Sequence, residues 1–155
     1  MKAMDKKWLR KAIEVAREAR EHGNHPFGAV LVDDNGNLLL TTENTVITER
    51  DSTCHAETNL VRAASKQFDR EFLAHCTLYA STEPCPMCAG AIFWGNIGCV
   101  VYGLSENRLY ELISNDDPEA LVLSCREVFA RGRKSIEVIG PLLESEAESV
   151  HIGFW

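Results

Sequence analysis

Between residues 5 and 22, Trp8, Leu9, Ala12, Ile13, Ala16 and Ala19 recur at helical spacing, the period of a helix packed by one stripe onto a larger body. Asp5 is placed to cap its start and Gly23 to stop it. The pattern then changes period. Residues 27–32 and 38–42 are β-rich runs flanking Asp33-Asp34-Asn35-Gly36-Asn37, whose Asn-Gly step favours a tight reversal and predicts a hairpin. A polar stretch over residues 43–53 leads into a second helix over about residues 55–68, with Asp51, Ser52 and Thr53 as capping candidates. A short strand is predicted over 77–81, and Pro86 suits the first position of a third helix running to about Trp94. Residues 99–104 and 136–139 read as further strands. The pattern over 107–131 is helical but broken at Ser114-Asn115-Asp116-Asp117-Pro118.

Strands alternating with helices place the chain in the α/β class, as a three-layer α/β/α sandwich around a mixed sheet of about five strands. Strand order is not contained in the periodicity. A length of 155 residues at 45% hydrophobic content suits a single domain, residues 1–155, that closes its core without staples.

Charge narrows the partners. Sixteen basic residues against 23 acidic ones give a net charge of -7, which disfavours general binding to phosphate backbones. The densest basic group, Arg126, Arg131, Arg133 and Lys134, is interleaved with acids and apolar residues and reads as a solvated face. No apolar stretch long enough for a signal peptide or membrane span opens the chain, so a cytoplasmic protein without membrane contact is expected. In a reducing compartment the six cysteines are not expected to form disulfides. Only Cys85 and Cys88 are clustered, and such a pair reads as metal ligands or redox chemistry.

His55-Ala56-Glu57 and Pro84-Cys85-Pro86-Met87-Cys88 each fall at the predicted start of a helix. Cysteines at i and i+3 share a helical face, and the free N–H groups of a first turn favour their thiolate forms. If the two helix starts converge, His55 completes a three-ligand site with Cys85 and Cys88. Three protein ligands leave a fourth tetrahedral position to water, the mark of a catalytic zinc. Glu57, turned by about 200° from His55 in a regular helix, is placed as proton carrier and not as a co-ligand. Two other readings stand beside this one. Cys-Pro-Met-Cys alone resembles the active sequence of thiol-disulfide oxidoreductases, and a zinc-binding module without catalysis would need a fourth ligand from His22, His25, His75, His151 or a distant cysteine.

The paired signature, with Pro26-Phe27-Gly28-Ala29-Val30, Asn44, Thr82-Glu83-Pro84-Cys85-Pro86-Met87-Cys88-Ala89-Gly90-Ala91-Ile92 and Val100-Val101-Tyr102-Gly103, resembles the cytidine and deoxycytidylate deaminase superfamily over most of the chain. The resemblance implies a cytidine deaminase-like fold and Zn(2+) on His55, Cys85 and Cys88. It also implies that Glu57 moves protons during hydrolytic release of ammonia from a nucleobase. Phe93-Trp94 is similar to bacterial guanine deaminases, residues 96–103 look more like transfer-RNA adenosine deaminases, and fungal cytosine deaminase is a more distant likeness. With the acidic charge, a free base or nucleoside of guanine type is expected, with wobble adenosine of transfer RNA and cytosine as the alternatives.

For the substrate, the resemblance implies contacts from the Asn44 amide, the backbone of Ala56, the carbonyl region of Thr82 and Glu83, Phe27 as a stacking ring, and Trp94. Asp116 and Asp117 lie where guanine deaminases carry an acidic residue that assists proton transfer. Phe154-Trp155 would close the pocket, in this subunit or a neighbouring one. The plainer readings are a turn for Asn44, Asp116 and Asp117, and core packing for Phe27 and Trp155. A homodimer through residues 87–94 is implied as well. His25 and His75 read as surface or loop histidines, and Trp8 as packing of the first helix on the sheet.

Overall fold

The structure, a computed structural model, describes residues 3–114 and 116–155; Asn115 of the predicted interruption lies outside the described residues. Five strands, β1 (Gly28–Val32), β2 (Leu38–Glu43), β3 (Thr77–Thr82), β4 (Cys99–Leu104) and β5 (Glu137–Ile139), form one sheet in the order β2-β1-β3-β4-β5. β1 runs antiparallel to both β2 and β3, whereas β3, β4 and β5 are parallel. This is the mixed five-stranded sheet expected from the alternation of patterns.

Period-2 alternation sorts the sheet residues into two cores. Ala29, Leu31, Leu78, Ala80, Val100 and Tyr102 face α3 (Ala56–Gln67), α5 (Pro86–Gly95) and α7 (Cys125–Ala130). Val30, Val32, Tyr79, Val101 and Leu104 face α1 (Ala3–Glu21) and α8 (Glu144–Ser149), with Leu109 of α6 (Glu106–Ile113) in the same core. Three short segments complete the fold: α2 (Val46–Glu49) and α4 (Arg70–Leu73), with α8, are too short to show periodicity and were not expected.

Two capping expectations are corrected. Asp5 lies in the first turn of α1, not at its N-cap position, and is 5% exposed; its carboxylate accepts the Tyr79 hydroxyl at 2.9 Å, which ties the helix to the sheet. The N-cap of α3 is His55, not Asp51, Ser52 or Thr53, and the Asp51 carboxylate is turned to Thr53 N at 2.8 Å. Gly23 does stop α1, at φ +89°. The hairpin reversal is closed by Gly36 N donating to Asp33 O, with the Asp33 carboxylate accepting the N–H groups of Asn35 and Asn37. Trp8 packs partly buried on the α1 face of the sheet. No helix of the described residues is long and apolar enough to cross a membrane.

Candidate metal and substrate site

Parallel strands gather ligands at their carboxyl ends, where helix N-termini point. β3 ends at Thr82, and the chain turns through Glu83 and Pro84 into Cys85, the N-cap of α5. His55 holds the same place on α3. The two residues have nearly the same extended backbone, φ -69°, ψ 153° for His55 and φ -68°, ψ 170° for Cys85, and neither side chain caps its own helix. Both side chains are thereby free to point at one another. Pro86 stands at the helix start, as its fixed φ favours. Close packing of α3 on α5 depends on Gly95, since a Cβ there would run into Val61 of α3.

His55, Cys85 and Cys88 place their ligating atoms within 4.8 Å of one another, and no fourth His, Cys, Asp or Glu joins the group among the described residues. Cys85 Sγ lies 3.5 Å from His55 Nδ1. A tetrahedral zinc with bonds of about 2.3 Å to sulfur and 2.0–2.1 Å to nitrogen separates those two atoms by about 3.6 Å, so the donors fit that ion. The acid–base balance fits it too. The Cys85 thiol is lowered to about 4 by hydrogen bonding from Cys88 and from His55. Cys88 is pushed well up by the hydrogen bond it makes to Cys85 and by burial. A second thiolate therefore needs a cation between them. None of the six cysteines forms a disulfide, the Cys85–Cys88 pair included.

Glu57 follows in the first turn of α3, 7% exposed, and burial followed by the nearby Cys85 charge raises its carboxyl to about 7. It shares with His55 and Cys85 a cavity of about 220 Å³. Phe27, Asn44, Thr82, Glu83, Asp117 and Trp155, all expected at the substrate, line the same cavity. Asn44 is 1% exposed and its Oδ1 accepts Val46 N, which leaves the amide N–H groups for a ligand. Ala56 opens α3 just behind, its carbonyl taken by the Thr42 hydroxyl at 2.7 Å.

Two expected residues sit differently. Trp94 does not line the cavity and is 75% exposed on α5, because helical geometry turns it away from the buried Cys88 and Ile92. Asp116 is exposed and outside the cavity, while Asp117 is in it. The Glu83 carboxylate is engaged by the protein itself: Glu106 N, Cys125 N and the Ser124 hydroxyl all donate to it. Conversely, His25, Tyr110, Ile113 and Glu119 line the cavity unforeseen. The C-terminus folds back over it within the same chain, with the His151 and Trp155 rings stacked at 6.1 Å and Phe27 edge-on to His151 at 5.4 Å.

A five-stranded sheet carrying a His/Cys/Cys zinc centre on two helix N-termini, with a buried glutamate beside it, defines a zinc-dependent deaminase. Residues 2–104 match the family described as cytidine and deoxycytidylate deaminase zinc-binding region, and the chain belongs to that family. It is 43% identical over 152 residues, 97% of this chain and 92% of the relative, to a probable cytosine deaminase of Schizosaccharomyces pombe. Among solved structures it is similar to a tRNA:A34 deaminase, at TM-score 0.76 and 30% identity over 94% of this chain and 99% of that one. A guanine deaminase from Nitrosomonas europaea gives TM-score 0.76 and 26% identity over 92% and 80% of the two chains.

Proposed function

We propose that the protein hydrolytically removes the exocyclic amine of a free nucleobase or nucleoside, with ammonia as the second product. The observation that carries this reading is that His55, Cys85 and Glu57 line one cavity of about 220 Å³, room for a base or nucleoside, with Cys88 completing the donor group of His55 and Cys85. When bound, zinc supplies a polarised water at the open coordination position. Glu57 is placed to take a proton from water and return protons to the ring nitrogen and the leaving amine. The Asn44 amide holds a carbonyl or ring nitrogen of the base, Phe27 stacks on it, and Asp117 stands at the mouth.

Among the described residues no lysine or arginine lines the cavity, and Asp117 and Glu119 do, so a phosphorylated ligand meets repulsion without a counter-charge. This favours a free base or nucleoside over transfer RNA. Guanine, expected from Phe93-Trp94, loses the support of Trp94 as a pocket residue. Likeness along nearly the full chain to the probable cytosine deaminase puts cytosine beside it. The protein acts as a homodimer through the outer face of α5. The test is ammonia release by the zinc-loaded protein from guanine, guanosine, cytosine, cytidine, adenine and a transfer-RNA anticodon stem. Turnover of a free base or nucleoside is expected; turnover of the RNA alone would reassign the substrate, and no ammonia from any of them would overturn the reading.

A further inference from the structure

We infer that the Thr82 hydroxyl is a specificity-determining group that hydrogen-bonds the ring edge of the substrate, an inference resting on the deaminase reading above. Thr82 ends β3, pairs with Leu104 of β4, and is 5% exposed. It lines the cavity that holds Glu57 and Cys85, yet its Oγ1 is shielded from solvent and has no hydrogen-bond partner among the described residues. A hydroxyl in that condition has lost its hydration without compensation, a cost that a valine of the same shape avoids. The fold therefore gains nothing from the oxygen, whereas a ligand that supplies the missing partner does.

The other polar groups of the inner wall narrow what that partner is. Both Glu83 oxygens are already engaged, by Glu106 N and by Ser124 and Cys125. The Asn44 oxygen is held by Val46 N, so only its N–H groups remain. The unsatisfied set is a pure donor at Asn44 and, at Thr82, a group able to donate or accept. A planar heterocycle with a ring nitrogen or carbonyl oxygen beside the amine-bearing carbon offers atoms for both. An analogue with a C–H in place of the atom that meets Thr82 leaves the hydroxyl orphaned and is rejected.

The test measures affinity apart from turnover. Zinc-loaded Glu57→Gln protein, alone and combined with Thr82→Val or Thr82→Ser, is titrated calorimetrically with cytosine, guanine and adenine, and the Tm of each ligand-free protein is recorded. Thr82→Val is expected to keep or raise the Tm while weakening the best-bound base by about tenfold or more, and Thr82→Ser to retain most of the affinity. A lowered Tm, a valine protein that does not fold, or an affinity unchanged by valine overturns the inference and leaves the deaminase reading standing. Failure of every base to bind the zinc-loaded protein overturns both.

Discussion

Trp155 donates its indole N–H to His151 Nδ1 at 3.0 Å, which fixes the imidazole as the neutral tautomer with its proton on Nε2. His151 is 3% exposed, and burial, then the charge of Arg20, lowers it to about 4, with Glu148 opposing weakly. A histidine whose folded value lies below the ordinary 6.5 contributes stability that is fully present above pH 6.5. That stability is lost as pH falls from 6.5 toward 4, where the folded state also takes the proton. The loss amounts to about 3 kcal/mol across that window. The Tm of wild type should therefore drop more steeply from pH 7 to pH 4 than that of His151→Gln, which cannot titrate there. Parallel Tm curves for the two proteins would remove His151 from the acid response.

Glu57→Gln keeps the shape of the side chain and removes its basicity. Zinc content, measured by atomic absorption, should stay at the wild-type stoichiometry because the donor group of His55, Cys85 and Cys88 is untouched. Ammonia release should fall by roughly 10²- to 10⁴-fold. Wild-type turnover in this variant would show that another group moves the protons.

Removing the metal should loosen the join between α3 and α5. The three donors come from the starts of these two helices, and an ion bound only by the folded state stabilises it by mass action. A chelator is expected to lower the Tm by about 5 °C or more, given the ~2–4 °C per kcal/mol typical of a chain this size, and added zinc should restore it. An unchanged melting curve after complete zinc loss would contradict this coupling.

The architecture was legible in the sequence because the strands around Val30-Leu31, Leu78-Tyr79 and Val100-Val101, buried on both faces, read as short β-rich apolar runs, and because α1 carries a full apolar stripe. The convergence of the His55, Cys85 and Cys88 donors was legible because they sit at fixed offsets from helix starts. The rest of the cavity depends on long-range folding. His25 meets Trp155 at 5.9 Å only because the C-terminus returns across the sheet, and no local pattern in either segment encodes that return. The Glu83 carboxylate shows the same limit: its partners Glu106 and Cys125 are set by where α6 and α7 begin. Trp94 was misplaced for a local reason, since the helical turn that buries Cys88 points it outward.

Glu83 also makes a prediction of its own. Its carboxylate accepts Glu106 N at 3.0 Å, Ser124 Oγ at 3.0 Å and Cys125 N at 3.2 Å while only 8% exposed. It joins the starts of α6 and α7 to the strand end that presents Cys85. Glu83→Ala leaves two buried backbone N–H groups without an acceptor, which costs about 3 kcal/mol and lowers the Tm by roughly 6–12 °C. Glu83→Gln retains an acceptor oxygen and should recover part of the loss. Equal melting temperatures for Glu83→Ala and wild type would show that the strut carries no load.

The outer face of α5 carries the last prediction. Its ten residues, Pro86 to Gly95, contain no charged side chain, although a helix exposed to water on one side normally has a polar face. Trp94 is 75% exposed there, packed edge-on against Phe93 at 5.3 Å, while Lys134 lies 4.2 Å from the Phe93 ring. A large exposed aromatic on an otherwise apolar helix marks an association surface, and a second copy of the same face supplies its complement. Sedimentation of the zinc-loaded protein at micromolar concentration should give a dimer. Trp94→Lys should give a monomer with wild-type zinc content, because the side chain lies outside the cavity and a lysine pair across a two-fold axis repels. A monomeric wild-type protein would leave Trp94 without a role in assembly, and a dimer that survives Trp94→Lys would move the interface to another face.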